Sequence, residues 1–464
     1  MFLKNKLKYV TFFIFVLLLT VGCGSASVYK QVDFAKYFND RSLFIGETLT
    51  ITIPINSPIT HVGGMFNRPN IETLAQRYMR ANPGVYIVVR GLEATDITTI
   101  AEAQRLELMA GRADTLIEFP WLDWRNPATS RLLADWYPIM RADPRFNESD
   151  WFMNVFDAIS KNGKILALPM EFSYEIISAN TTIPALYALF SDFNAISYGD
   201  MIYLFNLFSF DNPQFVFNGF DVLMTLFSSI DSFFCLEQQY INFYNQYFID
   251  FIYQSRNMTR PERPLGFPSH QIPIIGTNTE LNYSQRYYFI SSNPRNASPF
   301  TNALNSTYFS GFIPLVCDDG KLIIALSSGF ALNATATPVQ KALAWDFVSF
   351  ALNPENRQGL PEMIPAIYIP LFRHDVTRHI SHFHYRARRE GRWLYGDTEN
   401  QIIHAINHFY DIARLPMRIV TPANFAISSI IYETLDQFND GLISGRQAAE
   451  YLQNRITIVL MEMD

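Results

Sequence analysis

Between Leu49 and Phe119 the hydrophobic period of the chain switches back and forth between two and 3.6 residues. Leu49–Ile55 (LTITIPI) alternates and is β-branched, which predicts a strand. Ile71, Leu74, Ala75 and Tyr78 then recur at helical spacing, and Asn82-Pro83-Gly84 stops that helix. Val85–Arg90 (VYIVVR) predicts a second strand. Asp96–Ala110 predicts a second helix, with Ile97, Ile100, Ala101 and Leu108 on one side and Gly111 as its stop, and Thr115–Phe119 a third strand. Strands joined through helices run parallel, because the crossover returns the chain to the same end of the sheet. The order β-α-β-α-β therefore predicts an α/β fold whose mostly parallel sheet is flanked by helices. Ligands of such sheets sit beyond the carboxyl ends of the strands.

The rest of the chain is less regular. Ile165–Pro169 and Glu175–Ala179 read as extended pieces leading out of this first unit. Long helices are predicted at Tyr198–Phe208 and Asp221–Phe251, then strand and turn at Ile323–Leu332. Thr337 caps and Pro338 opens a helix that runs through Leu352 and ends at Asn353-Pro354. Ser444 and Gln447 have capping-box spacing for a last helix with Ala448, Leu452, Ile456 and Val459 on its apolar face. With 49% apolar and 17% charged residues, 464 residues supply ample core, and the 40 Phe and 24 Tyr read first as packing. Trp136, Trp151 and Trp345 fall in that packing class. The Phe-rich stretch Met201–Phe234 carries six Asn or Asp residues, so it reads as packed helices and not a membrane span.

Lys4, Lys6 and Lys8 precede an apolar run, Val10–Val21, and small residues lead to Cys23. That is a secretory signal, too short to span comfortably. Thr20-Val21-Gly22-Cys23 resembles a bacterial lipobox, although Thr20 stands where the pattern usually has Leu. The resemblance implies acylation of Cys23 and a chain anchored by lipid on the outer face of the cell membrane. Gly24–Ser27 suits a flexible tether. The formal charge of −7 falls to −10 without residues 1–22, which gives no electrostatic reason to bind nucleic acid. Cys235 and Cys317 are expected to be free and buried.

Several segments, in order, resemble the extracellular solute-binding proteins of ABC importers, family 1, the group that includes maltose-binding protein. They are Arg77–Val85 (RYMRANPGV), Leu108–Asp114 (LMAGRAD), Leu133–Pro138 (LADWYP), Asn162–Pro169 (NGKILALP) and Asn180. In the C-terminal third they are Ala342–Phe350 (ALAWDFVSF) and the helix around Gly445–Ala449 and Leu452–Arg455. The resemblance implies a two-lobed periplasmic-binding-protein-like fold with the ligand cleft between lobes. It implies a signal peptide at 1–22 and a tether at 23–45. Lobe I would take 46–170 and 311–355, and lobe II 171–310 and 356–464. The implied activity is capture of a solute, a mono- or oligosaccharide, by lobe closure, and delivery to an ABC import permease. It needs no catalysis and no cofactor, and a monomer suffices.

By the same resemblance, ligand contacts fall in four places, three of them in the first half of the chain. They are Ser57, Thr60 and His61 after the first strand, Trp121, Asp123 and Trp124 after the third, and Glu171, Phe172 and Tyr174 in the first crossing segment. Asn424 and Phe425 stand before the last helices, where sugar-binding members place an aromatic. Rings stack on sugar faces while polar groups take the hydroxyls. Three other readings compete. His374, His379, His382, His384, His404 and His408 could hold a metal, but Arg386, Arg388, Arg389 and Arg392 crowd them, so no metal site is expected. A secreted glycoside hydrolase needs only two carboxylates, yet no catalytic motif is present. A binding lipoprotein that feeds a sensor would look the same.

Overall fold

The computed structural model describes residues 32–55, 68–93, 97–119, 122, 124–174, 176–180, 194–197, 199–201, 203–204, 217–218, 233–235, 240–259, 289–292, 309–317, 319–326, 329–357, 369–370, 410–411, 414–419 and 425–463. Helix α1 (Ala35–Asn39) and a 3-10 turn (Arg41–Phe44) lead into β1 (Thr48–Ile55). Then follow α2 (Arg68–Ala81), β2 (Tyr86–Glu93), α3 (Ile97–Met109) and β3 (Leu116–Phe119). The five predicted elements of this stretch are thus present within a few residues of their expected ends. β1 pairs parallel with both β2 and β3. Asn82-Pro83-Gly84 stops α2 as a cap: Asn82 Nδ2 donates to Tyr78 O (2.9 Å), and Gly84 takes φ +91°, where a side chain would be strained.

Three short helices follow, α4 (Pro127–Ser130), α5 (Tyr137–Ala142) and α6 (Met153–Ile159), and then β4 (Ala167–Pro169). Asp135 explains why two distant segments meet. Its carboxylate accepts from Tyr137 N (3.1 Å), which shapes the turn into α5, and from Ile165 N (3.0 Å), while Trp136 N donates to Ile165 O (2.9 Å). The turn before Ile165 places Asn162 and Gly163 at positive φ, 52° and 74°. Trp136 is wholly buried and its Nε1 donates to Phe330 O (3.1 Å).

β5 (Glu171–Tyr174) and β6 (Ile176–Asn180) carry the chain out of this unit. Beyond lie β7 (Phe217–Asn218), β8 (Phe234–Cys235), β9 (Tyr240–Ile241), α7 (Gln246–Thr259), β10 (Phe289–Ser292) and β11 (Phe309–Pro314). Here the expectation of one helix over Asp221–Phe251 is overturned. β8 and β9 pair antiparallel, and the helix begins only at Gln246, where the Asn245 side chain accepts from Phe248 N (2.8 Å). The rings of Phe233, Phe243 and Phe248 meet through this hairpin, at centroid distances of 5.0–6.3 Å, and not through a helical stripe. Of Tyr198–Phe208, residues 199–201 and 203–204 are helical.

The chain returns through β12 (Leu322–Leu326) and β13 (Gly329–Leu332) to α8 (Pro338–Leu352), which begins in a full Thr337/Gln340 capping box. After β14 (Ile369–Pro370) and β15 (Met417–Ile419) come α9 (Phe425–Asn439) and α10 (Gly445–Met463). Ser444 and Gln447 form the expected capping box at α10 (2.9 and 3.3 Å). Cys317 is buried and forms no disulfide among the described residues.

Among the described residues these strands form the β8–β9 pair and three larger sheets. The first runs β2-β1-β3-β13-β4, the second β11-β6-β10-β7, and the third β14-β5-β12-β15. Among the described residues two hydrophobic cores result. One gathers side chains from Tyr37 to Tyr174, from Leu322 to Leu352, and Met417 and Ile419. The other gathers side chains from Ile196 to Ile252, from Ile313 to Ile323 and from Ile427 to Leu460. The third sheet touches both. On β12, Leu322, Ile324 and Leu326 enter the first core and Ile323 the second, as alternation on one strand requires. No helix among the described residues is long and apolar enough to cross a membrane.

Candidate functional site

The loop after β3 is nailed to its surroundings. Trp124 is 7% exposed, and the Arg125 guanidinium lies 4.9 Å from its ring centroid, a cation–π contact. Arg125 Nη2 reaches Ala158 O at the end of α6 (3.4 Å), and Lys161 Nζ donates to Arg125 O. Asn126 accepts from Ala128 N (2.8 Å) and starts α4. Helix α6 packs on β15, held further by Asn154 Nδ2 donating to Leu415 O (2.8 Å). Arg418 of β15 therefore comes close to Arg125. Its guanidinium is held below its ordinary range, first by burial and then by the Arg125 charge. Arg125 of the loop and Arg418 of the third sheet are thus brought together.

The first crossing strand divides by face. Phe172 is wholly buried and meets Phe152 edge-on at 5.5 Å, and Tyr174 is 2% exposed with its phenol pushed up by burial. Both rings are in the first core, so their packing share is large. Positions 171 and 173 fall on the opposite face of β5, the face to which Ile323 belongs on β12 and, paired with it, Arg418 on β15. Glu171 itself pairs with Pro370 of β14. Phe425 is the first residue of α9. Ser57, Thr60, His61, Trp121, Asp123, Asn424 and Cys23 lie outside the described residues, as does the histidine-rich stretch 374–408. Among the described residues no group of His, Cys, Asp or Glu could hold a metal ion.

One residue at this rim escaped sequence reasoning. Glu118 is the next-to-last residue of β3, half-buried, with its carboxyl pushed up to about 8 by burial. The signal was available: a charge inside the apolar run Leu116-Ile117-Glu118-Phe119. Beside it Gln104 of α3 is 2% exposed, donates from Nε2 to Glu118 O (3.2 Å), and leaves its own carbonyl oxygen without a partner.

No protein-family model matches the sequence, and no curated protein matches it. Solved structures do. An ABC substrate-binding protein from Listeria monocytogenes in complex with cycloalternan is 12% identical, with 89% of this chain and 99% of that one covered at a TM-score of 0.53. The sugar-binding protein MalE from Xanthomonas citri is 14% identical over 89% and 98%, at 0.55. The chain has the fold of the solute-binding proteins. An extracellular solute-binding protein of family 1 from Alicyclobacillus acidocaldarius agrees, 11% identical over 89% and 98%, at 0.55. These neighbours are binding proteins, not enzymes. At such identities the sequence has drifted while the order of elements has held, so pocket residues must be argued from this chain's own side chains.

Proposed function

We propose that the chain captures a saccharide outside the cell between two lobes and delivers it to an ABC import permease. The observation that carries this reading is the pair of hydrophobic cores joined by one sheet whose strands serve both. Two packed bodies linked by a few strands can hinge, and a guest that touches both favours the closed state by its differential affinity. The solved neighbours bind, by their names, cycloalternan or sugars, which supports a saccharide guest here. In this reading the lobes follow the cores. Lobe I keeps 46–170, adds β5 and takes its second segment from about residue 320 instead of 311, since Ile313, Leu315 and Cys317 pack in the second core. The guest lies at the carboxyl rim of the first sheet, between the loop 120–126, the outer face of the third sheet and the start of α9.

A thermal-shift screen of the chain without residues 1–23 tests this. A saccharide at 100 times its Kd should add about 2.7 kcal/mol of stability. Trp124→Phe should keep the fold and reduce that shift, because the wider indole is the ring offered to the sugar. If broad mono- and oligosaccharide panels give no shift while another solute class does, the saccharide assignment fails. Acylation of Cys23 would hold the protein beside its permease and raise the local concentration. Wild type should then partition with membranes in a bacterial host, and Cys23→Ser should be released to the medium. Equal partitioning of both would end the lipid-tether reading.

A further inference from the structure

Glu118 stands in an apolar row. It pairs across the sheet with Phe330 of β13, which pairs with Leu168 of β4, and both of those side chains are wholly buried. On its other side β1 offers Ile53, 2% exposed. β3 is the central strand of the first sheet, so the row continues on both sides. An aliphatic residue would pack better at this position, and a carboxyl there costs stability. Among the described residues the Glu118 carboxyl has no hydrogen-bond or charge partner. The charged groups of α3 are turned elsewhere: Glu102 is 3.9 Å from Arg105, and Glu107 pairs with Arg112 at 2.8 Å, while the buried residues of that helix are Ile100, Gln104 and Leu108.

A second observation concerns Gln104, whose Nε2 donates to the Glu118 backbone oxygen (3.2 Å). The Gln104 carbonyl oxygen is buried without a donor, a state that costs free energy until a donor arrives. Helix α3, which carries it, also touches α9, whose apolar face belongs to the second core. The unsatisfied corner is therefore near where the two bodies meet.

We propose that Glu118 selects the captured solute by hydrogen-bonding a hydroxyl of an uncharged saccharide, with the Gln104 carbonyl as companion acceptor, and that it disfavours carboxylated sugars. This rests on the saccharide-capture reading above. A protonated carboxyl both donates and accepts, as a sugar hydroxyl does. Burial pushes Glu118 up to about 8, so it is protonated at neutral pH. A sugar laid over it removes its remaining water and holds the proton more firmly, so affinity falls as pH rises past that value. The same shift acts on stability. The folded chain keeps a proton that the unfolded chain releases near the ordinary 4.5. The stabilisation is full below that value and is lost as pH rises through about 8.

Calorimetric titration of the full-length chain in detergent, with maltotriose, xylotriose, cycloalternan and digalacturonate at pH 6.5 and 9.5, tests it. Whichever neutral saccharide binds should bind about tenfold more weakly at pH 9.5, a change of one hydrogen bond's size. Glu118→Gln should bind within about threefold of wild type at pH 6.5 and lose the pH dependence. Glu118→Leu should bind about tenfold more weakly while its melting temperature rises, a combination that a purely structural role would not give. The proposal is overturned if Glu118→Leu binds like wild type, if Glu118→Gln keeps the pH slope, or if digalacturonate binds as well as the neutral sugars. Should no saccharide bind wild type at either pH, the capture reading falls first and takes this one with it.

Discussion

Replacing Asp346 by Ala is expected to lower stability by about 3–5 kcal/mol, the range for breaking a buried ion pair from one side. Asp346 is 1% exposed on α8 and its carboxylate serves three donors. Arg41 reaches it from the 3-10 turn before β1, Arg145 Nη2 from the loop after α5 (2.6 Å), and Tyr78 Oη from α2 (2.5 Å). A second buried acid, Asp143, completes the set, accepting from Arg145 Nη2 (2.8 Å) and Trp345 Nε1 (2.9 Å). Two acids therefore face two guanidiniums across four segments that are distant in sequence. The guanidiniums are half-exposed, 47% and 49% for Arg41 and Arg145, so they can turn to water once Asp346 is gone. Tyr78 cannot. Its phenol, already pushed well up by burial and by Asp346, would be left buried without an acceptor. Asp346→Asn keeps an acceptor for Tyr78 and should cost less than Asp346→Ala. Urea unfolding gives the difference directly, and about 2–4 °C of melting temperature is expected per kcal/mol for a body of this size. A loss below about 1 kcal/mol for the Ala variant would show the network to be a surface ornament.

The same residues show what a sequence can and cannot disclose. Strands β1 to β3 and helices α2 and α3 were legible because each holds one period long enough to recognise, and the two helices are followed by Gly84 and Gly111, both at positive φ. The caps at Thr337 and Ser444 were legible because a cap is a local hydrogen bond between residues three apart. Trp345 was rightly read as core, since its neighbours on the helix are Phe347 and Phe350. Its partner Asp143 was not foreseeable, being 202 residues away in sequence. The hairpin β8–β9 was missed for a related reason. Apolar residues so dense that every spacing is populated fit helix and strand alike, and Asn245, the residue that starts α7, looks like any polar interruption. Of the candidate site, the loop containing Trp124 is proposed from its composition alone. That Arg125 approaches Arg418 depends on α6 packing against β15, a tertiary fact with no local trace. Glu118 was missed because a short strand was read by its period, and the one residue that broke its apolar character was passed over.

Phe172→Ala should cost about 3–5 kcal/mol, the usual price of emptying a large aromatic site in a core. The side chain is wholly buried, lies edge-on to Phe152 at 5.5 Å, and sits on β5 opposite Leu326 of β12. β5 is inside the third sheet, between β14 and β12, so the vacated space is walled on both sides and cannot collapse freely. Phe152 itself stacks towards Tyr410 at 6.4 Å, and the loss would spread along that chain of rings. Phe172→Leu separates packing from ligand contact. A Leu refills much of the volume and should cost less than about 1.5 kcal/mol, so the protein stays folded. If Phe172 serves only the core, the Leu variant binds solute with wild-type affinity. If the ring also meets the sugar, affinity falls while the melting temperature hardly moves. Binding is expected to be kept, because alternation on β5 turns Phe172 and Tyr174 towards the first core and leaves positions 171 and 173 to face the second body. On that strand Glu171 is then the contact we propose for the guest, and a Phe172→Leu variant that folds but cannot bind would refute the assignment of faces.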